Sequence, residues 1–460
     1  MINYRQAKNI LKKAKIKIKD EEILINKALN RVLAKDIFSP SDHPLGNNAA
    51  FDGFAINSND TKHLSKKNSK GFKIIGSIAA GARPFKKIIK RFDTVEIMTG
   101  GIIPNGFDTI VPIEKIVFSP SIKNRKYILI NKKINKFETL EIMTGGIIFK
   151  PLNTIIPIEQ IIFHPNKKNP KSIIIKNKVN KYNHLRFKGS DYKKGQLIIK
   201  KGTVIQPNHI LALKTLGVNK IKVKKKLNIL FFSTGNEISN SNKISFWKVR
   251  NSNSHYIESL NESFLFNFKN GGILRDNHQN LFKSKIKQLL KSKTDIIITS
   301  GAVSAGRFDY IPSVVKKFKT FNYFKSVKIR PGKPILFARI KQKAIFGLPG
   351  NPISSAACFR FFVYPFIENI LNLNPEKSIK AILKNSFEKK KNLTRFVKSK
   401  INTTKNGKVE VELLPGQESF RINSFVGSNI WAVLPSGQSK FKKGQIIDCF
   451  FPNFPNKFLD

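Results

Sequence analysis

Apolar residues fall along the chain in distinct regimes. Over residues 1 to about 45 they recur at helical spacing, at Ile10, Leu11, Ile23, Ile25, Leu29 and Leu33, and the pattern breaks at Pro40 and Pro44. A helical lead-in is predicted there. From Phe72 to about Lys225 they come in short β-branched runs separated by Gly, Pro, Asn and Lys, which predicts a β-rich region with many turns. From about Leu227 each apolar run opens into a turn containing Gly or Ser and then a segment of helical length: LNILFFSTGNEI, GGILRDN, TDIIITSGAVSAG and KAIFGLPGNPIS. That alternation predicts a doubly wound α/β domain whose ligands sit beyond the carboxyl ends of its strands. After Asn374-Pro375, short strands over 376–460 predict a small β-barrel or sandwich. The expected division is 1–225, 226–372 and 376–460.

The β-rich region repeats itself. RFDTVEIMTGGIIPNGFDTIVPIEKIVF is echoed 45 residues later by KFETLEIMTGGIIFKPLNTIIPIEQIIF, so that about 92–136 and 137–181 form a tandem duplication. The match runs through the turns as well as the strands, which excludes a merely shared β pattern. Pro104, Gly106 and Asp108 of the first copy become Phe149, Pro151 and Asn153 in the second. If one copy keeps an original site, it is the first. Two copies are too few for a solenoid.

Composition narrows the function classes. Lys+Arg is 84 against Asp+Glu 29, a formal net charge of +55, which excludes an acidic solvating chain. Lys outnumbers Arg roughly five to one, and Phe, Ile and Asn are abundant, the usage that AT-rich codons give. The charge is spread along the chain instead of clustering on one element, so it reads as a solvated basic surface with no dedicated nucleic-acid role. Cys358 and Cys449 stand far apart, without spacing for a disulfide framework or a zinc site. The N-terminal residues interleave Lys with apolar positions, unlike a secretory signal, and no window is apolar enough for a membrane helix. A cytoplasmic protein is expected.

Candidate chemistry concentrates in the second half. In IIITSGAVSAGRFDY a buried strand opens into Ser300, Gly301, Ser304, Gly306 and Asp309; glycines let backbone approach a phosphate, and a nearby carboxylate can hold Mg²⁺. KIRPGKPILFA supplies Arg330, Gly332 and Lys333 on a proline-stiffened turn. GLPGNPISSA supplies Gly350, Asn351 and Ser354 entering a helix, and together the two turns form an oxyanion cradle. In the first half, Asp52 lies in NNAAFDGFAI and Thr99 in EIMTGG. No HExxH or GxSxG occurs, so a histidine metal site and a hydrolase elbow are not supported.

Taken in order, NNAAFDGFAI, AAGARPF, EIMTGGIIPNGFDTIVPIE, FFSTGNEI, TSGAVSAGRFDY, RPGKPILFA and GLPGNPIS resemble the molybdopterin molybdenumtransferases, the molybdenum-insertion family related to the catalytic domain of gephyrin. The resemblance covers nearly the whole chain apart from the duplicated 45 residues. It implies an α/β multidomain protein: a helical and β N-terminal region with a small β domain, a central doubly wound molybdopterin-binding domain and a C-terminal β-barrel. It further implies a homodimer that inserts molybdate into adenylylated molybdopterin with release of AMP, assisted by Mg²⁺. A molybdopterin adenylyltransferase is an implied partner. Carried over by position, Asp52, Thr99, Asp276, Asp309 and Lys333 are the implied catalytic residues, with Asp276 and Asp309 on the metal. Gly301, Ser304, Gly306, Arg330, Gly332, Lys333, Gly350, Asn351, Ser354, Lys398, Ser419 and Ser424 are implied to bind substrate.

The chain also departs from the family pattern. Arg330 stands for a usual Lys, Lys398 for a usual Arg, Ser190 for Glu, Asn251 for Asp, Arg307 for an acid and Ala302 for a Gly of the phosphate loop, while Asn236 is a tolerated variant. The competing expectation is a catalytically weakened homologue that binds pterin and anion as a dimeric scaffold without turnover.

Overall fold

The computed structural model describes residues 1–45, 53–56, 70–79, 85–98, 101, 103–107, 109–112, 117–120, 125–130, 161–164, 172–175, 188–260, 265–304, 306 and 309–453. They form two compact units, Phe38–Leu197 and the discontinuous pair Met1–Ile37 with Ile198–Asp460.

The helical spacing of the first 45 residues yields a single α-helix, Tyr4–Lys13, and not a continuous helical lead-in. Asn3 and Gln6 close a capping box at its start, and Ala7 and Leu11 are the buried face. Beyond it, Asp20–Leu24 is a strand antiparallel to Lys220–Lys224. Asp20 lies opposite Lys224 and pairs with its ammonium at 2.7 Å. Opposite charges facing one another across an antiparallel pair favour the strand. The partner lies two hundred residues away, outside any local window.

In the unit Phe38–Leu197 a six-stranded sheet runs in the order Thr109–Pro112, Gly53–Ile56, Asp93–Ile97, Lys70–Ile78, Arg125–Ile130, Val117–Pro120. Its small core is Ile78, Val95, Ile97 and Phe107. Four of the six strands belong to the first copy of the repeat. From the second copy, Ile161–His164 and Ser172–Ile175 form a separate two-stranded sheet. The hairpins match in register: Val117 faces Leu129 and Phe118 faces Ile128, and 45 residues on Ile162 faces Ile174 and Phe163 faces Ile173.

The α/β domain carries strands β1 (Leu227–Thr234), β2 (Phe266–Leu274), β3 (Ile296–Ser300), β4 (Phe321–Lys325), β5 (Leu336–Ile340) and β6 (Lys343–Leu348), in the sheet order β2-β1-β3-β6-β5-β4. The four from β2 to β6 are parallel, and β5 and β4 add an antiparallel edge. Ile229, Phe231, Ile296 and Ile298 face one core, and Leu230, Phe232 and Ile297 the other. Burial on both faces is why these strands read as unbroken apolar runs.

One helical run covers Pro352–Leu371, with a π-helical middle at Phe359–Val363. There the buried Arg360 donates to the Phe451 carbonyl at 2.6 Å and to both carboxylate oxygens of Glu376, each at 2.6 Å, tying the helix to the C-terminal segment.

That segment closes on itself. β7 (Ile379–Leu383), β8 (Thr394–Thr403), β9 (Val409–Leu413), β10 (Ile430–Leu434) and β11 (Ile446–Phe450) run in the order β8-β9-β7-β11-β10, and β10 pairs back onto β8 to complete a barrel. Closure leaves the barrel without a free edge. The pair Ile329–Arg330, just after the α/β edge strand β4, joins β8 in parallel, placing Arg330 beside Arg395. No helix among the described residues is long and apolar enough to cross a membrane.

Candidate active site

The carboxyl ends of β1, β3 and β6 lie side by side and are bound together by short polar side chains. The Thr234 hydroxyl donates to the Ser300 carbonyl at 2.9 Å. The Ser300 hydroxyl donates to the Pro349 carbonyl at 3.2 Å and accepts from the Asn253 amide at 2.7 Å. The same amide donates to the Gly350 carbonyl at 2.8 Å. Two glycines keep this rim bare. Gly301 has φ +101°, and a Cβ on it would stand 2.5 Å from Thr234 Oγ1 and 2.6 Å from the Thr234 carbonyl oxygen. A Cβ on Gly350 would face the Gly301 Cα at 3.7 Å. Bare backbone at strand ends is what lets an anion approach main-chain N–H groups.

The described residues that follow gather around one carboxylate. Asp309 Oδ2 accepts from the Ser304 hydroxyl and, at 2.8 Å, from the Gly306 N–H. Tyr310, next in the chain, donates its hydroxyl to the Arg275 carbonyl at 3.1 Å, so Asp309 and Asp276 flank a bonded pair. Burial, and secondarily the Asp276 charge, push the Tyr310 phenol up to about 12. Arg275 donates to the carbonyls of Gly235, Asn236 and Ile238, holding the STGNE turn. A shallow cavity of about 610 Å³ opens there, lined by Asn236, Arg275, Asp276, Asn277 and His278.

Among the described residues no group of three or more His, Cys, Asp or Glu side chains could cage a metal. Among the described residues nothing donates to the second oxygen of Asp309, and Asp276 lines the adjoining cavity. One or two carboxylates suit a Mg²⁺ that retains waters and is held chiefly by substrate phosphates. The residues present fit that mode of binding and not a protein cage.

The second group of expected residues gathers where the α/β domain meets the barrel. Gly332, at φ +99°, would bring a Cβ within 2.4 Å of the Cys358 sulfur; the RPGKP turn therefore lies flat against the helix that carries the buried Ser354. Arg330 and Lys333 stand exposed on this turn, and neither side chain has a hydrogen bond or ion pair among the described residues. The Asn351 amide donates to the Ser419 hydroxyl at 3.0 Å, and the Ser424 hydroxyl donates to the Gly416 carbonyl at 2.8 Å.

Lys398 differs from its expected place in the anion cradle. It is 1% exposed, and its ammonium donates to the carbonyls of Gly416, Glu418 and Arg421 at 2.7, 3.3 and 2.9 Å. An ammonium has three protons, and all are used. Its contact is with the loop that carries Ser419 and Ser424, and the Gln417 side chain fastens the same loop to the Lys398 backbone. Burial lowers its pKa, the Glu418 charge opposing.

The departures resolve unevenly. Asn251 is buried, accepting from the Ser233 hydroxyl at 2.6 Å and donating to Asn240 at 2.9 Å, a donation that the usual carboxylate could not make. Ala302 has φ +54°, the left-handed region in which a side chain is strained. Asp52, Thr99 and Arg307 lie outside the described residues. Sequence reasoning missed Asn253, although it lies in the RNSN motif, because its value is in reaching two other strand ends. It also missed Arg395, which no local motif marks.

Comparison with known proteins adds to this geometry. The profile of the MoeA N-terminal region (domain I and II) matches residues 2–136 and again 130–217, two overlapping matches of the kind a duplication produces. The profile described as a probable molybdopterin binding domain matches 231–369, and that of the MoeA C-terminal region (domain IV) matches 380–450. A molybdopterin molybdenumtransferase of Staphylococcus aureus (strain COL) is 30% identical over 434 residues, covering 93% of this chain and 90% of the relative. One from Staphylococcus epidermidis (strain ATCC 12228) is 28% identical over 453 residues, covering 97% and 94%. The crystal structure of a molybdopterin biosynthesis moeA protein from Pyrococcus horikoshii shares the fold, with a TM-score of 0.75 at 24% identity over 99% of this chain and 100% of that one.

Proposed function

The chain belongs to the MoeA family of molybdopterin molybdenumtransferases, and from that membership we propose that it inserts molybdate into adenylylated molybdopterin and releases AMP. It is a transferase of molybdenum cofactor biosynthesis. The observation that carries the finer reading is the pairing of a bare-backbone rim at Gly301 and Gly350 with the cations Arg330 and Lys333, unpaired among the described residues.

The reaction breaks the phosphoanhydride between AMP and the pterin phosphate, and negative charge grows on the phosphate oxygens as it does so. The bare rim at Gly301, whose own N–H is taken by the Leu348 carbonyl at 2.9 Å, gives the phosphates room to approach, while Ser304 and Gly306 hold the Asp309 carboxylate in place. Arg330 and Lys333 attract the second reactant, molybdate, and stabilise the developing charge without having to break an existing ion pair first. Asp309 and Asp276 would hold Mg²⁺, which when bound neutralises phosphate charge. Asp52 and Thr99 are assigned to the same reaction by position in the family pattern alone. The working form is taken to be a cytoplasmic homodimer, supplied by an adenylyltransferase.

The test is AMP release from purified protein given adenylylated molybdopterin, Mg²⁺ and molybdate, beside Asp309→Ala and Lys333→Ala. Molybdate-dependent release that both substitutions abolish supports the reading. Tight substrate binding without AMP release leaves instead a weakened homologue acting as a pterin-binding scaffold, a reading favoured by the strained Ala302.

A further inference from the structure

Arg395 is the one charged side chain among the described residues that has a buried nitrogen, Nε, with no hydrogen-bond partner. A buried unsatisfied donor is costly, and more so on a guanidinium. Its setting removes the usual remedies. Arg330 lies directly opposite across the parallel bridge, so a like charge faces it on that side. Glu418, whose charge reaches Arg395, is already paired with Arg421 at 3.0 Å. The guanidinium carbon stands 5.3 Å from the Phe387 ring centroid, which fixes the planar group without accepting a hydrogen bond. Two facing guanidiniums, one with an unsatisfied donor, are stabilised by an anion that bonds both.

We propose that Arg395 is a ligand of a tetrahedral oxyanion, acting with Arg330 and Lys333, and that it supplies the guanidinium which the carbonyl-bound Lys398 cannot. Three observations converge on this. Lys398 has spent its protons on three carbonyls, Arg330 and Lys333 have no partner within the described residues, and Arg395 has an orphaned donor beside Arg330. A planar fork matches two oxygens of such an anion, which an ammonium does not. The proposal rests on the transferase reading for the source of the anion, either molybdate or a phosphate of the substrate, and on the geometry alone for its shape and charge.

The experiment is calorimetric titration of the full-length protein with molybdate, inorganic phosphate and AMP in separate arms, for wild type, Arg395→Gln and Arg395→Lys. Thermal unfolding establishes that each variant is folded, and the Lys variant preserves the charge if the Gln variant unfolds. Affinity for at least one anion should fall about tenfold or more in Arg395→Gln and be partly recovered in Arg395→Lys. Loss confined to molybdate assigns the site to that reactant, and loss for phosphate and AMP assigns it to the substrate. Wild-type affinity for all three anions in a folded variant, or no binding of any by wild type, overturns the proposal. Intact anion binding with no AMP release defeats the transferase reading and leaves this one standing.

Discussion

The Asn351 side-chain amide donates to the Ser419 hydroxyl at 3.0 Å, linking the turn after β6 to a barrel loop. Both residues are at the surface, so the bond holds a loop in position more than it holds the fold together. Asn351→Ala and Ser419→Ala should each lower stability by no more than about 1 kcal/mol in urea unfolding. Each should raise the KM for molybdate in the AMP-release assay. The double variant should raise it little beyond either single one, since the two side chains act through one bond. Additive effects on KM would show that they act separately.

Gly301 and Ala302 are adjacent residues with positive φ, at +101° and +54°, and substitution should act on them in opposite directions. Gly301→Ala adds a carbon 2.6 Å from a carbonyl oxygen and imposes left-handed strain, so it should destabilise by at least about 2 kcal/mol. Ala302→Gly relieves strain of about 1 to 2 kcal/mol while loosening the unfolded chain, for a net gain of roughly 0.5 to 1 kcal/mol. Paired thermal melts would check both signs. A destabilised Ala302→Gly would mean that its methyl packs better than its backbone conformation suggests.

How much of the fold and the site is legible in the sequence depends on where each residue finds its partner. The parallel strands announce themselves because burial on both faces leaves no polar position in Ile296–Ile298 or Ile229–Phe232. Ser304, Gly306 and Asp309 are legible because their contacts lie within a few residues of one another. Lys398 reads as a free cation in the sequence because its three acceptors belong to a loop about twenty residues on, which only the closed barrel brings back to it. The strand Asp20–Leu24 is hidden for the same reason, its charges being matched by Lys220–Lys224.

His209 gives the protein a pH-sensitive helix start. Its Nδ1 accepts from the Gln206 N–H at 3.0 Å at the head of the helix Pro207–Thr215, which requires that nitrogen to be unprotonated. Burial lowers its pKa below the ordinary 6.5, with a hydrogen bond to the Val204 backbone opposing. As pH falls through 6.5 the unfolded chain therefore takes up the proton first, and stability declines until the folded imidazole also protonates. Above that window both states are neutral and the contribution is complete. His209→Gln should flatten this part of the profile of unfolding free energy between pH 7.5 and 5, whereas an unchanged slope would assign it to other groups.

The duplication makes a sharper test, because the two copies offer matched hairpins and unmatched turns. Deleting 137–181 joins Lys136 to Tyr182 and removes none of the six strands of the sheet in Phe38–Leu197. That variant should keep the thermal transition of the full chain. Deleting 92–136 asks the second copy to replace the first. Its strands can do so, since Leu140 and Ile142 stand for the buried Val95 and Ile97, and its hairpin already has the same register. Its turn cannot. Gly106 sits at φ +103° with the Ile89 side chain 3.2 Å from where a Cβ would be, and the residue that would take its place is Pro151, whose ring locks φ near −65°. Beside it, Leu152 would replace the buried Phe107, changing the volume of a core with four buried apolar side chains among the described residues. The second deletion should therefore lose a cooperative transition or become sensitive to limited proteolysis within Phe38–Leu197. Equal stability of the two variants would mean that the turn can be rebuilt around a proline, and that the copies are interchangeable in the sheet.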